Sequence, residues 1–201
     1  MVQHIFFDNA KIKTYNGIIT LLSILPIFCW SNLFMIKSNA ELTSKILKFI
    51  LKFLSKNPQP EIRQVAADTL RSLTTATIFD AESILKHLKS LHIINSKKLE
   101  KALLGKRDEM DCSDDENVEN IPPKKRLKSD SGELVTKPGS PITSKNPLLY
   151  ELHGIVLGFC AVIESSPYHV PVWLPDLIVY LNPFAYSKYA NIKSTCKKSI
   201  F

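Results

Sequence analysis

Residues 57–70 read Asn57-Pro58-Gln59-Pro60-Glu61-Ile62-Arg63-Gln64-Val65-Ala66-Ala67-Asp68-Thr69-Leu70, and no other stretch restricts the chain as tightly. The two prolines end whatever helix precedes them. Pro60 itself suits the first turn of a new helix, where its missing N–H breaks no bond. From there Ile62, Val65, Ala66, Thr69, Leu70 and Leu73 recur at i, i+3, i+4, i+7, i+8 and i+11, one face of an α-helix. The small Ala66 and Ala67 let a partner helix come close, and Arg63 falls on the flank of the apolar face.

The partner stands immediately before. Ser38 and Glu41 have capping-box spacing and open a helix expected to run to about Lys56. Leu42, Ile46, Phe49, Ile50 and Phe53 form its apolar stripe, widened by Leu47, Leu51 and Leu54. Lys45, Lys48, Lys52 and Lys56 line the other side. With no arginine or aromatic interleaved, that line reads as a solvent face and implies no direct nucleic-acid contact. A further helix is expected over about Ala81–Leu91, after Asp80 as a cap. Upstream, Tyr15 to Ile36 carries no charged residue, and Ile18–Ile36 approaches membrane-spanning length. Pro26 and the scattered Ser23, Ser31 and Asn32 favour a buried helix, or two short ones broken at Pro26, over a membrane span.

The character changes near Leu99. Asp108, Glu109, Asp111, Asp114, Asp115, Glu116 and Glu119 make an acidic block, followed by Pro122-Pro123-Lys124-Lys125-Arg126-Leu127-Lys128 and a Ser/Pro/Gly-rich stretch to Asn146. Too little apolar area is present to offset the ordering entropy, so a disordered charged loop is expected over 99–146. Lys124, Lys125, Arg126 and Lys128 fit the K-K-R-x-K pattern of a nuclear localisation signal, whose partner would be an import receptor. Helical patterning returns at Pro147. Leu148, Leu152, Ile155, Val156, Phe159 and Ile163 share a face, and Leu149, Leu157 and Cys160 cover much of the rest, which predicts a buried helix. Gly154 and Gly158, four apart, permit close backbone approach. Pro167, Pro171 and Pro175 fix a turn before an apolar helix with Leu177, Ile178 and Leu181, and a last helix is expected from about Lys188.

Composition narrows the function classes. Of the net charge of +7, residues 1–98 carry 13 basic and 6 acidic groups, so the excess sits on the first helical block. Cys29, Cys112, Cys160 and Cys196 form no C-x-x-C pair, and the five histidines show no metal spacing with carboxylates or cysteines. There is no Gly-rich phosphate loop and no G-x-S-x-G elbow. No catalytic residue, metal site or cofactor is therefore assigned, and the expectation is a protein that is not an enzyme.

The 57–70 pattern resembles the turn and second helix of a HEAT repeat, which carries a basic residue where Arg63 stands. A second resemblance is more specific. Leu157-Gly158 followed by Ser165-Ser166-Pro167-Tyr168-His169-Val170-Pro171-Val172-Trp173-Leu174-Pro175 is similar to the C-terminal region of the large HEAT-repeat proteasome activator family, the proteasome activator complex subunit 4-like proteins. The likeness extends back through Asn32-Leu33-Phe34 and 61–70, and forward to Thr195-Cys196-Lys197-Lys198-Ser199.

This resemblance implies an all-α, HEAT/armadillo-like α-solenoid fragment. Helical repeats occupy 1–98, the charged loop 99–146 and truncated C-terminal helices 147–201. It implies a cap on the core 20S proteasome that promotes degradation without ATP or ubiquitin. It also implies acetylated histones as possible substrates, and residence in nucleus and cytoplasm. The family's acetyl-lysine reader uses an Asn-Phe pair where Thr77-Ile78 stand here, and threonine lacks the amide donor, so no acetyl-lysine-binding residue is assigned. The family ends in a tail with a penultimate tyrosine. This chain ends at Ser199-Ile200-Phe201, so the expectation is a piece that does not stimulate the proteasome alone. Two alternatives stand beside this reading: a membrane-anchored helical protein using 18–36, and a generic nuclear HEAT-repeat adaptor.

Overall fold

The computed structural model describes residues 14–104 and 146–200. They form eight helices and no strand among the described residues: α1 (Tyr15–Ser31), α2 (Leu33–Lys37), α3 (Ala40–Lys56), α4 (Pro60–Thr75), α5 (Ala81–Leu104), α6 (Pro147–Glu164), α7 (Leu174–Ala185) and α8 (Ala190–Ile200). The fold is all-α.

Most boundaries follow from local chemistry. Asn57 and the two prolines separate α3 from α4, with Pro60 in the first turn of α4. Asp80 caps α5, its Oδ2 accepting from the Ser83 backbone N–H at 2.9 Å and the Ser83 hydroxyl at 2.7 Å. Asn146 caps α6 through Leu148 N at 3.0 Å. At the end of α4, Ile78 N–H reaches back to Leu73 C=O at 3.0 Å and Thr77 N–H to Thr74 C=O at 2.9 Å. These are the two bonds of a Schellman stop, and they hold Thr77 in the left-handed region at φ 55°.

Three boundaries differ from the sequence expectation, and one left open is decided. Of the two readings at Pro26 the unbroken helix holds, though it is buried on one side only: α1 runs through Pro26 and stops at Asn32, whose Nδ2 and backbone N–H both bond the Phe28 carbonyl. Residues 18–36 are thus not one continuous helix. The carbonyl that Pro26 leaves without its helical donor is that of Leu22. The Thr69 hydroxyl from α4 lies 2.9 Å from it and 2.7 Å from Val65 C=O. Asn39, not Ser38, caps α3, accepting from Leu42 N at 2.9 Å. Helix α5 runs to Leu104, well past Leu91 and past the 98/99 boundary, because Asn95 is buried and bonds Leu148 C=O and Glu151 on α6. The last helix starts at Ala190 rather than Lys188.

Helix α6 is the hub, packed against α3, α4, α5 and α8, while α1 stacks on α4 and α7 pairs with α8. Contacts fix the directions. Arg63 meets His153 and Arg71 meets Glu164, so α4 and α6 run the same way. Thr195 meets His153 and Ser199 meets Glu164, so α8 runs with them. Leu88 faces Gly158 and Asn95 faces Glu151, so α5 runs opposite to α6. One layer therefore holds α1, α4, α6 and α8 and the other α3, α5 and α7, an order of packing consistent with an α-solenoid. The glycine pair is where α3 comes closest: a Cβ on Gly154 would lie 1.8 Å from the Leu54 carbonyl oxygen. Among the described residues, α6 is the one helix long and apolar enough to cross a membrane, and it is the core helix of the stack.

Candidate functional site

Polar groups inside the stack come first, since a buried site would be built from them. Arg63 was expected on the flank of α4. It is buried instead, because the turn before α4 and the start of α6 close over it. Its Nη1 donates to the carbonyls of Asn57 at 2.6 Å and Pro58 at 3.0 Å, and Nε and Nη2 donate to His153 Nδ1 at 3.2 and 3.1 Å. With Nδ1 accepting, the proton of neutral His153 sits on Nε2 and points to Thr195 Oγ1 at 3.2 Å. The Tyr150 ring covers the guanidinium, 5.4 Å from its centroid. Burial, then the charge of Arg63, push the His153 pKa down to about 4. Every member has a partner, so the cluster ties α4, α6 and α8 together and leaves no group free for a substrate.

A second cluster joins α5 to α7. His92 Nδ1 contacts the Tyr180 hydroxyl, and its Nε2 lies 3.1 Å from Ser96 Oγ. The ring packs edge-on to Tyr180 and Phe184. Between α4, α6 and α8 lies an open groove of about 840 Å³. Its acidic groups and Arg71 are paired internally, with Lys198 also in the lining: Arg71 spans Asp68 at 3.3 Å and Glu164 at 2.8 Å, and Ser199 donates to Glu164 at 2.8 Å. Cys160 in its wall is raised to about 12 by burial, a protonated thiol at neutral pH and no nucleophile. Among the described residues, no group of three or more His, Cys, Asp or Glu side chains could hold a metal ion.

The outer surface offers more. On α3, Lys48, Lys52 and Lys56 face solvent while Lys45 pairs with Glu41 at 2.6 Å. The apolar exposure is concentrated elsewhere. Helix α1 buries Leu22, Leu25 and Cys29 but presents Ile24, Ile27 and Trp30, so only one side of it is covered. Phe34 on α2 is 87% exposed, and Tyr168, Val170 and Val172 between α6 and α7 are 96%, 76% and 94% exposed. The last three stand on a segment fixed by Pro167 and Pro171 and anchored by the half-buried Trp173. The sequence singled out this proline–tryptophan block as a family mark. That it projects its apolar side chains was not legible there.

Lys124, Lys125, Arg126 and Lys128 lie outside the described residues, as does the remainder of the expected loop beyond Leu104 up to 145. Thr77, set against the reader's asparagine by the resemblance alone, accepts a hydrogen bond from Lys37 Nζ at 2.8 Å through its hydroxyl, and Ile78 is buried.

Comparison with known proteins agrees with the resemblance read from the residues. Residues 149–201 match the family described as "Proteasome activator complex subunit 4-like, C-terminal". The chain is 27% identical over 200 residues to the human proteasome activator complex subunit 4, covering 100% of this chain and 9% of that protein. It is 25% identical over 186 residues to the Xenopus laevis protein of that name, covering 90% and 8%. It is 26% identical over 194 residues to proteasome activator complex subunit 4A of Danio rerio, covering 96% and 9%. The chain thus spans less than a tenth of the length of these relatives. No solved structure matches. The chain is similar over 90–100% of its length to subunit 4 proteins, and over 149–201 to the family's C-terminal region.

Proposed function

We propose that this chain serves as a non-enzymatic α-solenoid segment of a proteasome activator, acting by contact with the core 20S proteasome. The observation that carries the reading is the alignment with subunit 4 proteins over the whole chain, with the family's C-terminal match falling on α6, the projecting connection, α7 and α8. The internal polar clusters support it, since each is consumed in holding helices in register. What remains for a partner is the outside of the stack.

In its finer form the proposal is degradation independent of ATP and ubiquitin, with acetylated histones among the substrates and the protein in nucleus and cytoplasm. No acetyl-lysine-binding residue is assigned, because Thr77 has no amide and its hydroxyl already receives Lys37. Nuclear entry would rest on Lys124, Lys125, Arg126 and Lys128 binding an import receptor. A reporter fused to the chain should lose nuclear accumulation when the first three become alanine together. The central test is co-sedimentation of the 201-residue chain with purified core proteasome. Recovery with the proteasome is expected. A chain that stays in the supernatant at micromolar proteasome would defeat the reading and leave a generic helical adaptor.

A further inference from the structure

The layer made of α1, α4, α6 and α8 ends in two helices of opposite character. Helix α8 turns Asn191, Lys193, Ser194, Lys197 and Lys198 outward, the polar face that a terminal repeat needs for solubility. Helix α1 does not. Leu22, Leu25 and Cys29 recur at i, i+3 and i+7 and are buried on the α4 side, where Thr69 reaches the Leu22 carbonyl. Thr20, Ile24, Ile27 and Ser31 recur at i, i+4, i+7 and i+11, with Ser23 and Trp30 beside them, and all six are exposed. At about 100° per residue the two stripes lie on opposite sides of the helix. Ile24, Ile27 and Trp30 are 49%, 67% and 63% exposed, and no residue from Tyr15 to Ile36 is charged.

The hydroxyls on this outer face are turned inward. Ser23 Oγ donates to Ile19 C=O at 2.9 Å and Ser31 Oγ to Ile27 C=O at 2.9 Å, so covering them leaves their protons bonded. A helix apolar on all sides belongs in an interior, as α6 does, yet α1 has a layer neighbour on one side alone while α4 and α6 have one on each. Its stripe on the α4 side is already taken, and its 17 residues fall short of the roughly 20 that span a bilayer. The comparisons point to the same end of the stack. More than nine-tenths of each relative lies outside the aligned region, and the family's C-terminal match falls on α6, α7 and α8, which places most of that extra length ahead of the residues matching α1.

We infer that the outer face of α1, with Ile24, Ile27 and Trp30 at its centre, is an interface for a further helical repeat. Its contacting helix continues the layer, runs the same way as α1 and presents an uncharged apolar stripe, as α1 does to α4. The inference rests on the solenoid-segment part of the function proposed above and not on contact with the proteasome, so co-sedimentation with the core proteasome and the test below can fail separately.

The test compares the 201-residue chain with a chimera in which it replaces the aligned region of full-length human proteasome activator complex subunit 4. Hydroxyl-radical oxidation is read by mass spectrometry on the peptide containing Trp30. Ready oxidation is expected in the dilute 201-residue chain, and oxidation several-fold slower in the chimera. Ile24→Asp with Ile27→Asp should restore the faster rate in the chimera, while the melting profile of the 201-residue chain, where both positions are exposed, stays unchanged. Equal oxidation of Trp30 in chimera and isolated chain overturns the inference, whatever its cause. So does protection already present in the dilute monomeric chain, which gives the face to residues 1–13, or protection that appears with a stable dimer, which gives it to a second copy.

Discussion

Proline in the middle of α1 should be costly, and the structure shows how that cost is contained. Pro26 cannot donate to Leu22 C=O, and the carbonyl is buried against α4 rather than open to water. The Thr69 hydroxyl takes the place of the missing N–H at 2.9 Å. Replacing Thr69 by valine keeps the shape and the β-branch but removes the donor. A buried carbonyl left unsatisfied costs about 1–3 kcal/mol, while Val65 C=O keeps its own helical partner. In a Pro26→Ala background the cost should shrink to below about 1 kcal/mol, because residue 26 then supplies the N–H itself. Pro26→Ala alone should stabilise the chain, by up to about 3 kcal/mol if the helix gains the full proline penalty. Urea unfolding followed by far-UV circular dichroism on the four proteins of this cycle measures the coupling. A coupling of about 1–2 kcal/mol is expected. If Thr69→Val costs the same in both backgrounds within about 0.5 kcal/mol, the hydroxyl is not satisfying the proline's orphan.

The glycine pair on α6 should respond unequally. Gly154→Ala drives a Cβ into the Leu54 backbone and should abolish cooperative melting, whereas Gly158→Ala meets only the Leu54 and Leu88 side-chain ends and should cost about 1–3 kcal/mol. Acid should weaken the stack through His153. It is neutral when folded, with a pKa of about 4 against roughly 6.5 unfolded, so its contribution is whole above about pH 6.5. That contribution is lost as pH falls toward 4, up to about 3 kcal/mol in all. His153→Gln, which can still accept from Arg63, should flatten the urea midpoint across that window, although His92, also lowered by burial, leaves a residual slope of the same sign. Thr77→Gly should raise the melting temperature, relieving about 1 kcal/mol of left-handed strain at the Schellman position. An unchanged or lower value would mean that the Lys37 bond outweighs it.

Legibility along this chain followed the range of the interaction. The α3–α4 boundary was readable because two prolines and a 3.6-residue apolar period act within a few residues. The stripe of Leu42, Ile46, Phe49 and Ile50 is buried as read, and so are Ile62, Ala66, Thr69, Leu70 and Leu73. The close approach at Gly154 and Gly158 was readable for the same reason, since the absence of a Cβ is a local fact. Arg63 was misplaced because its partner, His153, lies ninety residues away on a helix whose other residues are almost all apolar. A lone histidine in such a helix was the available signal. The sequence leaves open whether Pro26 breaks the helix because what accommodates it is a threonine on another helix, and it reads α5 short because Asn95 and α6 hold its second half.

These long-range contacts separate two jobs that one sequence must do. Arg63, His153 and Thr195 set the register of α4, α6 and α8, and Thr69 seats α1, so a change there alters how the helices stack. Ile24, Ile27 and Trp30, exposed on α1, bear on none of those contacts. Variants of the first kind should therefore shift the melting of the 201-residue chain, in proportion to how far the helices slide. Variants of the second kind should leave it fixed. Arg63→Lys, which cannot reproduce the guanidinium fork, should therefore lower the urea midpoint, and an unchanged midpoint would show that the fork to His153 does not set the register of α4 and α6.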